Sequence, residues 1–252
     1  MKNMNTMTLL AAGTCAMIAA SAANAAVVDI AGWDFSTIVS NNSVGTAGFG
    51  ASPYAASVSA SGLTVGGLTR GTGVSGVVPT GGSSAAKGWG GTGLDGPTDA
   101  ASAITANKYI YFTIETDAAS TLSIASIDAY NVRRSGSGPA SGQWQFQVGS
   151  GSFTDIGSAI TWGATTSSSG NGQSAIALTG ISSLQGIAAS TTVTFRLALW
   201  GASGATGTWY LNGQTATTAP DFKLSGEVTA VPAPGALALL GVAGLVGSRR
   251  RR

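Results

Sequence analysis

The chain has 252 residues, with 12 Lys+Arg against 10 Asp+Glu, for a formal charge of +2. Lys2 and Arg249–Arg252 hold five of the positive charges at the two ends, so residues 26–230 keep seven basic side chains against all ten acids and carry −3; that leaves no Lys/Arg row to displace counterions from phosphates, which argues against a nucleic-acid partner. The chain has no histidine and a single cysteine, Cys15, which removes Ser-His-Asp and Cys-His nucleophile pairs, His-ligated metals and disulfides, and no cofactor is expected.

Met1–Ala25 reads as a secretory signal peptide. Lys2 supplies the positive region, Met7–Ala20 the apolar run, and Ala23-Asn24-Ala25 an A-x-A cleavage site, so the mature chain begins near Ala26. The run is short for a permanent span and ends in small residues, and the sequence around Cys15 is unlike a lipidation site.

Residues 26–230 read as one all-β body. Gly reaches 38 of 252 residues and charged residues only 9%, a composition that favours strands and turns over helices. Val27–Phe35 is the first predicted strand. Residues 40–100 are rich in Gly and Ser and read as long loops or an insertion. Within them GTGVSG (71–76), GWGGTG (88–93) and GTGLDG (91–96) satisfy G-x-G-x-x-G, but none opens a helix after a strand with an acidic residue twenty positions on, so they do not predict a dinucleotide site. Gly90–Asp95 matches the start of a calcium-binding nonapeptide, a site that needs tandem copies, and there is one.

Beyond residue 100, apolar and polar residues alternate in short runs. Lys108–Thr116 puts Ile110, Phe112 and Ile114 on one face and Tyr109, Tyr111, Thr113 and Glu115 on the other. Gln143–Val148 sets Trp144, Phe146 and Val148 against Gln143, Gln145 and Gln147. Thr191–Trp200 buries Val193, Phe195, Leu197 and Leu199 and leaves Thr192, Thr194, Arg196, Ala198 and Trp200 opposite. Thr121–Tyr130, Phe153–Ile156, Gly207–Leu211 and Asp221–Val228 add shorter strands. No stretch of the body keeps a 3.6 period. About nine strands in this length predict a single jelly-roll-like β-sandwich.

After Ala230 come Val231-Pro232-Ala233-Pro234-Gly235, then ALALLGVAGLVG (236–247), Ser248 and four arginines. The two prolines end any strand or helix. The apolar run predicts a helix of about 20 Å, short against a hydrocarbon core of about 30 Å, and the arginine cluster holds its end on the cytoplasmic side with the body outside. This order, Pro-x-Pro, short hydrophobic segment and terminal Arg cluster, resembles the C-terminal sorting signal of PEP-CTERM proteins, with Ala233 in place of the acidic middle residue. The resemblance implies that an exosortase-type membrane protease recognises Val231, Pro232, Ala233, Pro234 and Gly235, with Arg249, Arg250, Arg251 and Arg252 as the basic stop. It also implies that the export machinery delivers the chain to the inner membrane, where the tail tethers it before processing, and that the body then reaches the cell surface or extracellular matrix of an exopolysaccharide-making bacterium. From Lys108 to Val228 the body resembles a class of β-sandwich domains found in such proteins, carried by Tyr109–Ile114, Arg133–Pro139, Val193–Leu197 with Trp200-Gly201-Ala202, and Gly207–Leu211.

Two functions follow for the body. One is an exported, surface-sorted structural or adhesive protein that binds extracellular polysaccharide, because sugar faces stack on exposed aromatics and guanidinium groups hold hydroxyls. Tyr109 and Tyr111 on one strand and Arg196 and Trp200 on another are the candidate glycan-binding residues, unless these aromatics face the core. The alternative is a surface-anchored jelly-roll enzyme acting on glycosides, which needs two carboxyls about 5–9 Å apart. The chain has two glutamates, Glu115 and Glu227, no E-x-D-x-x-E run and no G-x-S-x-G elbow, so an Asp pair such as Asp95 and Asp99 is what remains for it, and the residues argue against an enzyme.

Overall fold

A computed structural model describes residues 26–38, 48–77, 88–163, 170–213 and 219–231. The predicted leader with Ala23 and Ala25, and the tail from Pro232 to Arg252, lie outside the described residues. Among the described residues no helix is long and apolar enough to cross a membrane.

The described residues form sixteen strands: β1 (Val28–Trp33), β2 (Val58–Ser59), β3 (Leu63–Val65), β4 (Thr69–Arg70), β5 (Gly88–Gly91), β6 (Tyr109–Thr116), β7 (Ser120–Ile127), β8 (Tyr130–Arg134), β9 (Ser141–Val148), β10 (Thr154–Asp155), β11 (Ile160–Thr161), β12 (Asn171–Gln173), β13 (Ile176–Ala177), β14 (Thr192–Trp200), β15 (Trp209–Asn212) and β16 (Phe222–Ala230). Helix α1 (Ala100–Thr105) sits between β5 and β6. The first sheet has the order β13-β7-β16-β1-β2, the second β10-β9-β14-β6-β3 with β11 on β9 and β4 on β6, and the third β12-β8-β15-β5.

The long alternating runs become the long strands because each offers one continuous apolar face to bury. The first two sheets pack face to face through aromatic side chains. Trp33 of β1 lies 4.8 Å from Phe112 of β6, and Phe222 of β16 stacks on Trp144 of β9 at 5.7 Å with ring planes 4° apart. Phe112 and Phe195, directly opposite each other on β6 and β14, stack at 5.3 Å. The third sheet closes the core from the side: Tyr130 of β8 meets Trp144 and Phe222 edge-on, and Trp144 Nε1 donates to the Tyr130 hydroxyl at 3.0 Å. Burial pushes the Tyr130 phenol up to about 12. The path β6 to β7 to β8 to β9, and again β14 to β15 to β16, changes sheet at every step, so the sandwich is jelly-roll-like.

The strand count exceeds the predicted nine because β2–β5 and β11–β13 have two to four residues each, too few to display alternation, and because Thr121–Tyr130, read as one strand, divides into β7 and the start of β8. Helix α1 is also unforeseen. Its six residues cannot establish a period, and it is held by Asp99, which accepts from Ser102 N–H at 2.8 Å in a reciprocal capping box.

Residues 48–77 and 88–100, expected as loops or insertion, are tied into the body by Arg70. Its Nε donates to Gly90 O, its two Nη atoms to Gly50 O and Phe49 O, and its guanidinium lies 4.7 Å from the Trp89 ring. Burial lowers the Arg70 pKa to about 10. Gly90 is glycine because β5 passes too close to β15 for a side chain: a Cβ there would sit 2.1 Å from Trp209 O. The glycines of GWGG therefore serve strand packing, and none of the three Gly-rich matches opens a helix.

Candidate functional site

The outer face of the second sheet carries the site. Strand pairing places directly opposite residues on the same face, and the registers align one row across five strands: Asp155 of β10, Gln145 of β9, Arg196 of β14, Tyr111 of β6 and Thr69 of β4. At about 4.8 Å per strand the row is about 19 Å long. Thr194, between Gln147 and Thr113, belongs to the next row, and Ala198, between Gln143 and Tyr109, to the row on the other side.

Tyr109, Tyr111, Phe153, Thr194 and Arg196 line a shallow depression of about 210 Å³ in this face. All five are half-buried. The Tyr109 and Tyr111 rings are 6.0 Å apart, tilted by 60°. Arg196 stacks on Phe153, its guanidinium carbon 3.5 Å from the ring centre, and lies 5.8 Å from the Tyr109 ring. Its Nε donates to Gln145 Oε1 at 2.6 Å, while Gln145 Nε2 donates to Asp155 Oδ1 at 2.6 Å. Desolvation lowers the Arg196 pKa, opposed by Tyr109 and Asp155. The result is a small patch of aromatic rings beside a guanidinium held in one orientation.

The structure thus brings three of the four candidate residues together and leaves the fourth out. Trp200 shares the strand side of Arg196 but lies opposite Ser141, at the far end of β14. Between them Ala198 is fully buried, and α1 packs on this strand, with its own Ala103 fully buried. Trp200 does not line the depression. Phe153 is the residue that sequence reasoning missed. The turn Gly149–Ser152 returns β10 against β9 with Asp155 opposite Gln145, and alternation then puts Phe153 on the same outer face. A hairpin register counted from that Gly-Ser-Gly-Ser turn carries this signal.

The Asp95 and Asp99 carboxyls have structural work. Asp95 pairs with Lys108 at 3.6 Å, and the Lys108 ammonium also donates to the Asp95 carbonyl. Asp99 caps α1, and hydrogen bonds from Ser102 hold its pKa below the usual carboxylate value. Among the described residues no group of three or more His, Cys, Asp or Glu side chains could hold a metal ion.

Strand β16 ends at Ala230, and Val231 is exposed with its N–H donating to Ala119 O at 2.7 Å. The described body thus includes Val231, the first residue of the predicted sorting motif. Comparison of the chain with protein-family models, curated proteins and solved structures finds no match.

Proposed function

We propose that this chain is an exported, surface-sorted structural and adhesive protein of an extracellular polysaccharide matrix, and that the depression around Tyr111 is its polysaccharide-binding surface. The carrying observation is the gathering of Tyr109, Tyr111, Phe153 and Arg196 on one solvent-facing sheet face. Each of these half-buried rings keeps part of its face open to water for a ligand to cover, and a pyranose face fits a ring while its hydroxyls take the guanidinium and threonine groups. At about 210 Å³ the depression is smaller than the about 300–1,000 Å³ of enclosed small-molecule sites, which suits one residue of a polymer lying across the sheet.

The ends of the chain support the address. A signal peptide over 1–25 and a tail over 231–252 resembling a PEP-CTERM signal assign the chain to the export machinery and an exosortase-type protease. The tail serves as a short transmembrane tether at the inner membrane before processing, and the body ends at the cell surface or in the matrix. Cell fractionation of the tagged chain with and without 231–252 tests the address: the full chain is expected at the surface and the shortened one released. Retention of the full chain on exopolysaccharide tests the site, with Tyr111→Ala expected to lose most of it at unchanged thermal stability. Equal retention of variant and parent sinks the site.

A further inference from the structure

The charge bookkeeping of the site goes beyond stacking. Most other cations of the described body are spent. Lys108 pairs with Asp95, Lys223 with Asp29 and Asp128, and Arg70 and Arg134 donate to backbone carbonyls. Among the described residues Arg196, like Arg70 and Arg134, has no carboxylate within ion-pair distance, but where they make several hydrogen bonds to carbonyls it makes one, to the Gln145 side chain. Its nearest acid along the row, Asp155, is two strands away, about 10 Å at sheet spacing. Gln145 stands between them, its oxygen turned to Arg196 and its amide nitrogen to Asp155. The guanidinium uses Nε on Gln145, and its two terminal nitrogens make no hydrogen bond among the described residues. It is partly desolvated, which lowers its pKa. A half-buried cation with a free two-nitrogen fork beside aromatic rings is complementary to a planar carboxylate.

We propose that the depression selects acidic polysaccharide, the Arg196 fork taking the carboxylate of a uronic-acid residue whose ring lies against Tyr109 and Tyr111. This rests on the polysaccharide reading of the same site and adds its substrate class. The body's charge of −3 opposes adsorption of a polyanion at large, so the selection comes from this one contact and not from a basic surface.

The experiment measures affinity of the full-length chain for polygalacturonate and for the same polymer after reduction of its carboxyl groups to alcohols. The acidic form is expected to bind roughly tenfold tighter, the size of one charge-assisted bidentate contact. Arg196→Gln is expected to bring the two affinities together, the acidic polymer losing the larger factor because it loses the charge-assisted contact as well as the hydroxyl contacts. Arg196→Lys keeps the charge, loses the fork, and is expected to lose most of the difference. Gln145→Glu is an independent check that leaves Arg196 in place: it sets a carboxylate against the guanidinium and is expected to abolish the preference for the acidic polymer, with near-ultraviolet circular dichroism reporting the fold. Equal affinity of the parent for both polymers overturns the carboxylate assignment while the polysaccharide reading stands. Binding of either polymer that Tyr111→Ala leaves untouched overturns the reading of the site itself, and the assignment with it.

Discussion

The guanidinium of Arg196 is sandwiched by direction as well as distance: Phe153 covers it at 3.5 Å from the ring centre, and Gln145 fixes its Nε at 2.6 Å. Two neighbours from the β9–β10 hairpin thus set the orientation of a side chain on β14. An arginine so held loses less rotamer freedom on binding than one free in solvent.

Phe153→Ala removes that cover. Phe153 is half-buried and immediately precedes the edge strand β10, so stability is expected to change by less than about 1 kcal/mol, the value of an exposed cation–π contact. Retention on polysaccharide is expected to fall roughly three- to tenfold, because the freed guanidinium must be ordered again by the ligand. Thermal melts and affinity electrophoresis on the same preparations separate the two effects; unchanged affinity counts against Phe153 as part of the site.

Trp200→Ala makes the opposite case. Four residues along a strand place Trp200 about 13 Å from Arg196, beyond the buried Ala198. Polysaccharide retention is expected to stay within about twofold of the parent. A large loss extends the binding face along β14 to its end.

Trp200 also marks where the sequence stops being legible. Alternation displays which residues of one strand share a face, and β6, β9 and β14 follow it over most of their length, with Phe112, Trp144 and Phe195 inward and Tyr111, Gln145 and Arg196 outward, while Gln143 and Ala198 of the outer side are buried. Alternation does not say which strand lies beside which, so the row from Asp155 to Thr69 needs the registers. Nor does it reveal that α1, too short to show a period, packs on β14, or that Ala198, between Arg196 and Trp200 on the strand, is fully buried. Strand β5 reads Gly-Trp-Gly-Gly and is a strand because Trp209–Asn212 pairs with it, a non-local fact.

Arg70→Met tests how residues 48–77 and 88–100 are held. The substitution keeps an apolar stem and removes the donors to Gly90 O, Gly50 O and Phe49 O. The cost is expected at about 2–4 kcal/mol, the hydrogen bonds to a charged group offset by release of its desolvation. Arg70→Lys is expected to recover little, since one ammonium cannot span three carbonyls that a planar fork reaches. Urea midpoints read both variants, and a Lys variant as stable as the parent rules out the three-way clamp.

Tyr130 sets the alkaline limit of the fold. Its phenol is pushed from 10.0 up to about 12 by burial, only partly opposed by the hydrogen bond from Trp144. The folded chain therefore keeps this proton where the unfolded chain releases it. The stability tied to that difference is fully present below about pH 10, falls as pH rises, and is gone above about pH 12. The fall amounts to about 2–3 kcal/mol across that window. Tyr210, also pushed up to about 12 by burial despite Arg133 beside it, bends the curve the same way. Tyr130→Phe removes one ionisation but strands the Trp144 indole N–H in the core. Near neutral pH the variant is expected to be less stable by about 1–3 kcal/mol, the cost of a buried donor without a partner. Above about pH 10 its stability is expected to fall less steeply than the parent's, so the gap narrows towards pH 12. Denaturant unfolding of both chains near neutral pH and at about pH 11 measures the gap directly; a constant gap across that range means that Tyr130 does not hold its proton through the window.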